Sequence, residues 1–340
     1  MSEVVKARPR AARDEGREIL KAYRIMLSAR VLEEKLAALY RGGKIKGGVF
    51  LGRGQEALSV SVGIHLRKGD IFAPLIRDQA GRMAFGDTIL DTLRTYLGSA
   101  LGSMRGRDGN IHRGRPREGY YAMISHLGAM VPLVAGGLLA RRFRGESGVV
   151  GATCIGDGGT STGAFHEGLN AAAVEKLPLV VVVANNQYAY STPTSRQYAC
   201  ADLIDRAVGY GVAGHKIDGT DLEACMKIVG GAIAAARAGA GPQLVVADLL
   251  RLVGHGEHDD ASYVDPALRR QPVGRDCLDV AGKALVAHGW ATETELVAWR
   301  EAAEAEVDEI AARVQHEPEP DPSDEEWRAI STRNLEDNFA

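Results

Sequence analysis

Leu177 to Asn185 reads LPLVVVVAN, with four valines in succession. A strand with one wet face alternates apolar and polar residues, so a run that never alternates must be covered on both faces. Short and dominated by β-branched side chains, this run predicts a central strand of a parallel sheet. Three further runs have the same character: DIFAPLI (70–76), GVVGATCI (148–155) and PQLVVADLL (242–250). Helical spacing lies between them, at about 131–143, 163–176, 202–210 and 221–238, and ahead of them from Glu15 to Tyr40. The alternation predicts an α/β fold, a mostly parallel sheet with helices on both faces. Such sheets bind ligands beyond the carboxyl ends of their strands, which directs attention to the loops after Ile155, Ala184 and Leu250.

Residues 1–15 read as a mobile N-terminal arm and 16–276 as the α/β domain. Residues 277–316 read as a helical C-terminal region with a cap at Thr292 or Thr294, and 317–340 as an acidic linker and tail. A net charge of −3 gives no electrostatic case for nucleic acid or an anionic membrane as partner. The four cysteines show no C-x-x-C spacing, which argues against a disulfide framework or zinc knuckle. The N-terminus lacks the apolar core of a signal peptide, and no apolar run is long enough to span a bilayer. The expectation is a soluble, cytoplasmic protein.

Gly156-Asp157-Gly158-Gly159 follows the second of the apolar runs and precedes a helical pattern. A glycine-rich turn from strand to helix is where a phosphate rests on free backbone N–H groups. The dinucleotide fingerprint fails, because Ser161 stands where its third glycine belongs, and no Gly-Lys-Ser/Thr is present. Asp157 would repel a phosphate unless a cation lay between them. Magnesium takes one or two carboxylates together with phosphate oxygens, so the carboxylate holds the metal and the metal holds the phosphates. The next strand ends in Asn185, Asn186 and Tyr188, which offer an amide oxygen and a backbone carbonyl. Each motif alone is an ordinary turn or left-handed corner; at successive strand ends, together, they read as a metal–diphosphate site. HGEHDD (255–260) admits a different reading, a zinc cluster of His255, His258 and Asp259.

Gly156-Asp157-Gly158 followed by Asn185-Asn186 resembles the thiamine diphosphate fingerprint. The stretch FHEGLNAAAVEKLPLVVVVANNQYAYSTPTSRQY (165–198) goes further. It resembles the alpha subunits of the decarboxylating component of 2-oxo acid dehydrogenase complexes, the branched-chain and pyruvate enzymes in particular. GQEA (54–57), PLIRDQAG (74–81), ISHLGAMVP (124–132) and RLVGHGEHDD (251–260) fall in order, and the likeness covers about residues 20–315. The resemblance implies the thiamine diphosphate-binding fold, with thiamine diphosphate and Mg2+ as cofactors. It implies decarboxylation of a small 2-oxo acid and transfer of the acyl group to a lipoyl-bearing acyltransferase component. An acetoin-cleaving or carboligating enzyme would use the same kind of alpha subunit. It also implies a beta subunit, in an α2β2 heterotetramer, that supplies the glutamate activating the cofactor.

Carried over by position, Asp157, Asn186 and the Tyr188 carbonyl would ligate the metal, in a loop formed with Gly156, Gly158 and Gly159. Arg77 would bind the diphosphate, and Ser125 and Leu127 would contact the aminopyrimidine and its surroundings. His255 would be the catalytic histidine of a mobile loop that Asp259 and Asp260 fix and Arg251 anchors. The chain departs from the family pattern at four places. Ile76 replaces a tyrosine, Gly256 replaces the phosphorylated serine of mammalian relatives, Val264 replaces an arginine, and Ala129 and Met130 replace the threonine and glutamine of a potassium pocket.

Overall fold

The computed structural model describes residues 10–321 and 323. Five parallel strands form the central sheet: β1 (Ile71–Ala73), β2 (Gly151–Gly156), β3 (Leu179–Asn185), β6 (Ala213–Asp218) and β7 (Gln243–Asp248), in the order β1-β2-β3-β7-β6. A two-residue-strand hairpin, β4 (Tyr188–Ala189) and β5 (Thr192–Pro193), follows β3. The helices are α1 (Arg10–Arg41), α2 (Glu56–His65), α3 (Gln79–Ala84), α4 (Ile89–Tyr96), α5 (Met130–Phe143), α6 (Gly163–Val174), α7 (Arg206–Tyr210), α8 (Leu222–Arg237), α9 (Pro266–Arg269), α10 (Cys277–Ala287) and α11 (Glu293–Val314).

The valine run of β3 divides between two cores, as a strand covered on both faces must. Val180 and Val182 pack with Leu32 of α1, Leu58 of α2 and Val229 of α8. Val181 and Val183 pack with Val134 of α5 and Phe165 and Leu169 of α6. None of the four valines is more than 1% exposed, so every side chain of the run contributes apolar burial, about 1.5–3 kcal/mol for each.

Two expectations need correction. The first helix begins at Arg10, inside the span read as an arm; residues 1–9 lie outside the described residues. The helix expected at 202–210 is a 3-10 turn at Leu203–Asp205 capped by Asp202, then the short α7, which Gly211 ends at φ +65°. β6 was not foreseen. It is an edge strand with Ala213, Gly214 and Lys216 exposed, so it has no apolar run to reveal it. The C-terminal helices α10 and α11 lie within the helical region expected at 277–316 and pack into the sheet's core. Cys277, Leu285, Val307 and Ala311 are buried in the same cluster as Leu32 and Val180, and Arg30 of α1 donates to both carboxylate oxygens of Asp276 at 2.8 Å. Thr292, not Thr294, caps α11 in a reciprocal capping box with Glu295. The first residue of the expected linker, Glu317, is tied down by Arg94 and by the Ser99 hydroxyl at 2.6 Å. Residues 322 and 324–340 of the expected linker and tail lie outside the described residues.

Candidate active site

The carboxyl ends of β2, β3 and β7 meet at one cavity of about 340 Å3, lined by Asp157, Asn186, Tyr188, Arg77, Arg251 and His255 among others. Parallel register brings this about: Gly156 pairs with Ala184 and Asn185 with Asp248, so the three loops leave the sheet at one level. A larger groove of about 720 Å3 between α1, α10 and α11 lacks such a convergence of strand ends.

Asp157 turns the chain out of β2. Its Oδ1 accepts from Gly158 N at 2.7 Å, and Thr160 Oγ1 donates to its carbonyl at 2.6 Å. Side chains at the following positions would not fit. A Cβ on Gly158 would lie 2.4 Å from the Ala189 Cβ, and one on Gly159 would lie 2.7 Å from Ile155 Cγ1. Those two glycines therefore let the β4–β5 hairpin and β2 close on the turn, while Gly156 has nothing within 4 Å. Among the described residues the other carboxylate oxygen, Oδ2, is buried without a hydrogen-bond partner, and so is Oδ1 of Asn186. Burial pushes the Asp157 carboxyl up to about 6, offset in part by the Gly158 N–H and by Arg251. Gln187, at φ +76°, carries the chain from Asn186 into the hairpin.

Buried polar atoms are almost always paired, so two orphaned acceptor oxygens on adjacent strand ends call for an electrophile. Both are hard oxygens, the donor type that Mg2+ takes. The Tyr188 carbonyl, the expected third metal ligand, accepts from Arg251 Nη1 at 3.1 Å. A carbonyl has a second lone pair, so this bond leaves it able to ligate.

Arg77 is buried where β1 has ended. Its Nη1 donates to Leu51 O at 2.9 Å and its Nη2 to His255 O at 2.6 Å. Burial first, then the neighbouring Arg251, lowers its pKa to about 10, still fully charged at neutral pH. Two arginines at one cavity make it a site for an anion. Arg251 also donates to Tyr190 O at 2.8 Å and to Val253 O at 3.2 Å, which anchors the base of the His255 loop as expected.

His255 Nδ1 lies 3.3 Å from Arg77 Nη2, and its ring meets Phe50 edge-on and Tyr190 at a centroid distance of 4.4 Å. Burial, Arg77 and Arg251 together push its pKa down to about 4, so the imidazole is neutral at physiological pH. Asp259 Oδ2 accepts from His255 N at 2.5 Å and Oδ1 from Ala261 N at 3.0 Å; Asp260 accepts from Ser262 N at 2.9 Å. Both carboxylates fix the loop. Burial would raise the Asp259 carboxyl, but the Tyr263 hydroxyl and the His255 and Ala261 N–H groups outweigh it and hold it at about 2. The zinc reading finds no support: among the described residues no group of three His, Cys, Asp or Glu side chains is placed to hold a metal.

Leu127 lines the cavity, half-exposed; Ser125 does not. Ser125 is exposed, its Oγ 3.1 Å from His112 Nε2, and His112 Nδ1 is 2.9 Å from Asp108. Glu33 was missed by sequence reasoning. It is buried in α1, and both its oxygens accept from Gly52 N at 2.9 and 2.8 Å, bracing the Leu51–Gly52 turn against Arg77. Burial, then Glu56, raises its carboxyl to about 8. An acid three residues from Arg30, on the apolar stripe of Met26 and Ala37, was the available signal.

The sequence profile of the family described as dehydrogenase E1 component matches residues 23–323. The chain belongs to the dehydrogenase E1 component family. As an E1 chain it is part of a thiamine diphosphate-dependent oxidoreductase, and its parallel α/β sheet fits the fold that binds this cofactor. It is 36% identical over 309 residues, 90% of this chain and 92% of that protein, to the acetoin:2,6-dichlorophenolindophenol oxidoreductase alpha subunit of Cupriavidus necator. It is 33% identical over 306 residues, 90% of this chain and 88% of that protein, to the pyruvate dehydrogenase E1 alpha subunit of Rhizobium meliloti. It is 36% identical over 249 residues, 72% and 75% of the two chains, to the 2-oxoisovalerate dehydrogenase alpha subunit of Bacillus subtilis. No helix among the described residues is long and apolar enough to cross a membrane.

Proposed function

We propose that this E1 chain is the alpha subunit of a lipoamide-dependent 2-oxo acid dehydrogenase. In this reading it works in the cytoplasm with a beta subunit as an α2β2 heterotetramer and passes its acyl group to a lipoyl-bearing acyltransferase. The observation that carries the reading is the pair of unpartnered buried oxygens, Asp157 Oδ2 and Asn186 Oδ1, at a cavity with Arg77 and Arg251. Asp157, Asn186 and the Tyr188 carbonyl would hold Mg2+, and Arg77 would donate to the diphosphate through the guanidinium N–H groups that Leu51 and His255 leave free.

Thiamine diphosphate, when bound, supplies the electron sink that lets a 2-oxo acid lose carbon dioxide. The chain's own contribution is position and charge. With Nδ1 of His255 accepting from Arg77, the imidazole proton sits on Nε2, which makes the neutral ring a hydrogen-bond donor to an anionic oxygen. Depression of its pKa keeps it in that form throughout the physiological range. Asp259 holds the loop backbone, so the donor is fixed before any ligand arrives. Residues 277–314 carry the helices α10 and α11, packed on α1; in this reading the pyrimidine-activating glutamate comes from the beta partner. The relatives named above are alpha subunits, which supports a beta partner.

Co-expression with a beta-type subunit of the same family is the test. The assembled protein should decarboxylate a 2-oxo acid with lipoamide-dependent turnover and lose cofactor binding in EDTA, while the single chain should be inactive. Robust decarboxylation by the pure single chain would overturn the reading. The 36% likeness over nearly the whole chain to an acetoin-oxidising subunit favours one alternative substrate. Turnover of acetoin with a dye acceptor, and none of 2-oxo acids, would select it.

A further inference from the structure

Tyr190 occupies an awkward position. Ala189 pairs with Thr192, so Tyr190 is the first loop residue of a two-residue hairpin, and its φ is +54°. That is the left-handed region, where hairpins place glycine or asparagine and a bulky side chain is strained. Burial does not offset the strain, because Tyr190 remains 49% exposed. Its hydroxyl takes no hydrogen bond among the described residues. What holds it is local: the carbonyl accepts from Arg251 Nη2 at 2.8 Å, and the ring stacks on Tyr263 at 6.4 Å and 22°. The ring is thereby set against His255, 4.4 Å between centroids, at the edge of the cavity that Asp157 and Arg77 also line. Strain kept at a functional site, without core burial to explain it, marks a residue whose placement matters to the site.

We infer that the Tyr190 ring is a size filter, limiting how large an acyl group of the 2-oxo acid can stand beside His255. This rests on the function proposed above. The hairpin conformation and the Arg251 bond fix the backbone from which the ring projects, and the ring lies between His255 at 4.4 Å and Tyr263 at 6.4 Å by centroid, so it takes up volume at the cavity edge. Apolar pockets discriminate roughly 10–200-fold per methylene, so removing a whole ring should show clearly in the ratio of two substrates.

The experiment uses the alpha–beta assembly and two 2-oxo acids, pyruvate and a branched-chain homologue, with kcat/KM measured for each. Tyr190→Ala and Tyr190→Leu should raise the branched-to-pyruvate ratio, by at least about tenfold for alanine and by less for leucine. Tyr190→Phe should keep the wild-type ratio, since the hydroxyl bonds none of the described residues. An unchanged ratio in both alanine and leucine variants, with the wild type active, rejects the inference alone. Loss of all turnover in both with cofactor binding intact also rejects it, because the ring would then serve the chemistry and not selection. A wild-type assembly inactive on every 2-oxo acid rejects the functional reading and this inference with it.

Discussion

Replacing Asp157 by asparagine should stabilise the metal-free protein near neutral pH and at the same time abolish cation-dependent cofactor binding. The carboxyl is 1% exposed, and burial lifts its pKa from the ordinary 3.8 to about 6. Below about pH 3.8 both native and unfolded states carry the proton, and the group costs nothing. Between 3.8 and about 6 the native state binds more proton than the unfolded state, so stability falls as pH rises. Above about 6 the whole penalty applies. The gap, at about 1.36 kcal/mol per pH unit, comes to about 3 kcal/mol. Asparagine keeps the shape and the Oδ1 that accepts from Gly158 N, and it removes the charge. Its amide also brings donors to a place with orphaned acceptors at Asn186 Oδ1 and Gln197 Oε1. Urea unfolding in EDTA, followed by tryptophan fluorescence, should therefore show a gain approaching 3 kcal/mol at pH 7.5 and only about 1 kcal/mol at pH 4.5. With Mg2+ and thiamine diphosphate present, the wild type should gain stability by mass action and the variant should not. Equal wild-type and variant midpoints at pH 7.5, or cofactor stabilisation that survives in Asp157→Asn, would refute the reasoning.

Arg77→Ala should weaken thiamine diphosphate binding by roughly tenfold to a hundredfold, one charge-assisted hydrogen bond's worth, with lysine restoring only part; calorimetry on the assembly decides it. His255 should show no protonation in a histidine NMR titration until the pH falls toward 4, and Arg77→Ala should raise that value by about a unit because a neighbouring cation has gone. Gly256→Ser should disturb the His255 loop, since a Cβ there would lie 2.7 Å from the His258 ring; lower turnover without loss of global stability is expected, and unchanged kcat would count against a tightly packed loop.

Much of this protein is legible along the chain because the relevant physics is local. A valine run covered on both faces, a carboxylate in a glycine turn and a pair of asparagines at the next strand end each declare themselves within a few residues. Their juxtaposition follows from the alternation of strands and helices, which leaves a parallel sheet little freedom. The same locality explains the misses. β6 has an exposed face and no apolar run, so pairing with β7 alone makes it a strand. Glu33 sits on the buried stripe of a long helix, yet only the tertiary fold reveals that it braces the Gly52 turn behind Arg77. Arg77 and His255, 178 residues apart, share a hydrogen bond that no spacing rule could supply. Ser125, four residues before Ala129 in a well-matched motif, ends up outside the cavity, bonded to His112. Sequence determined which chemical groups are present and which strand ends carry them. Packing decided which oxygens are left unpartnered, which imidazole nitrogen faces an arginine, and which ring is forced against it, because those depend on how distant segments exclude one another from the same few ångströms.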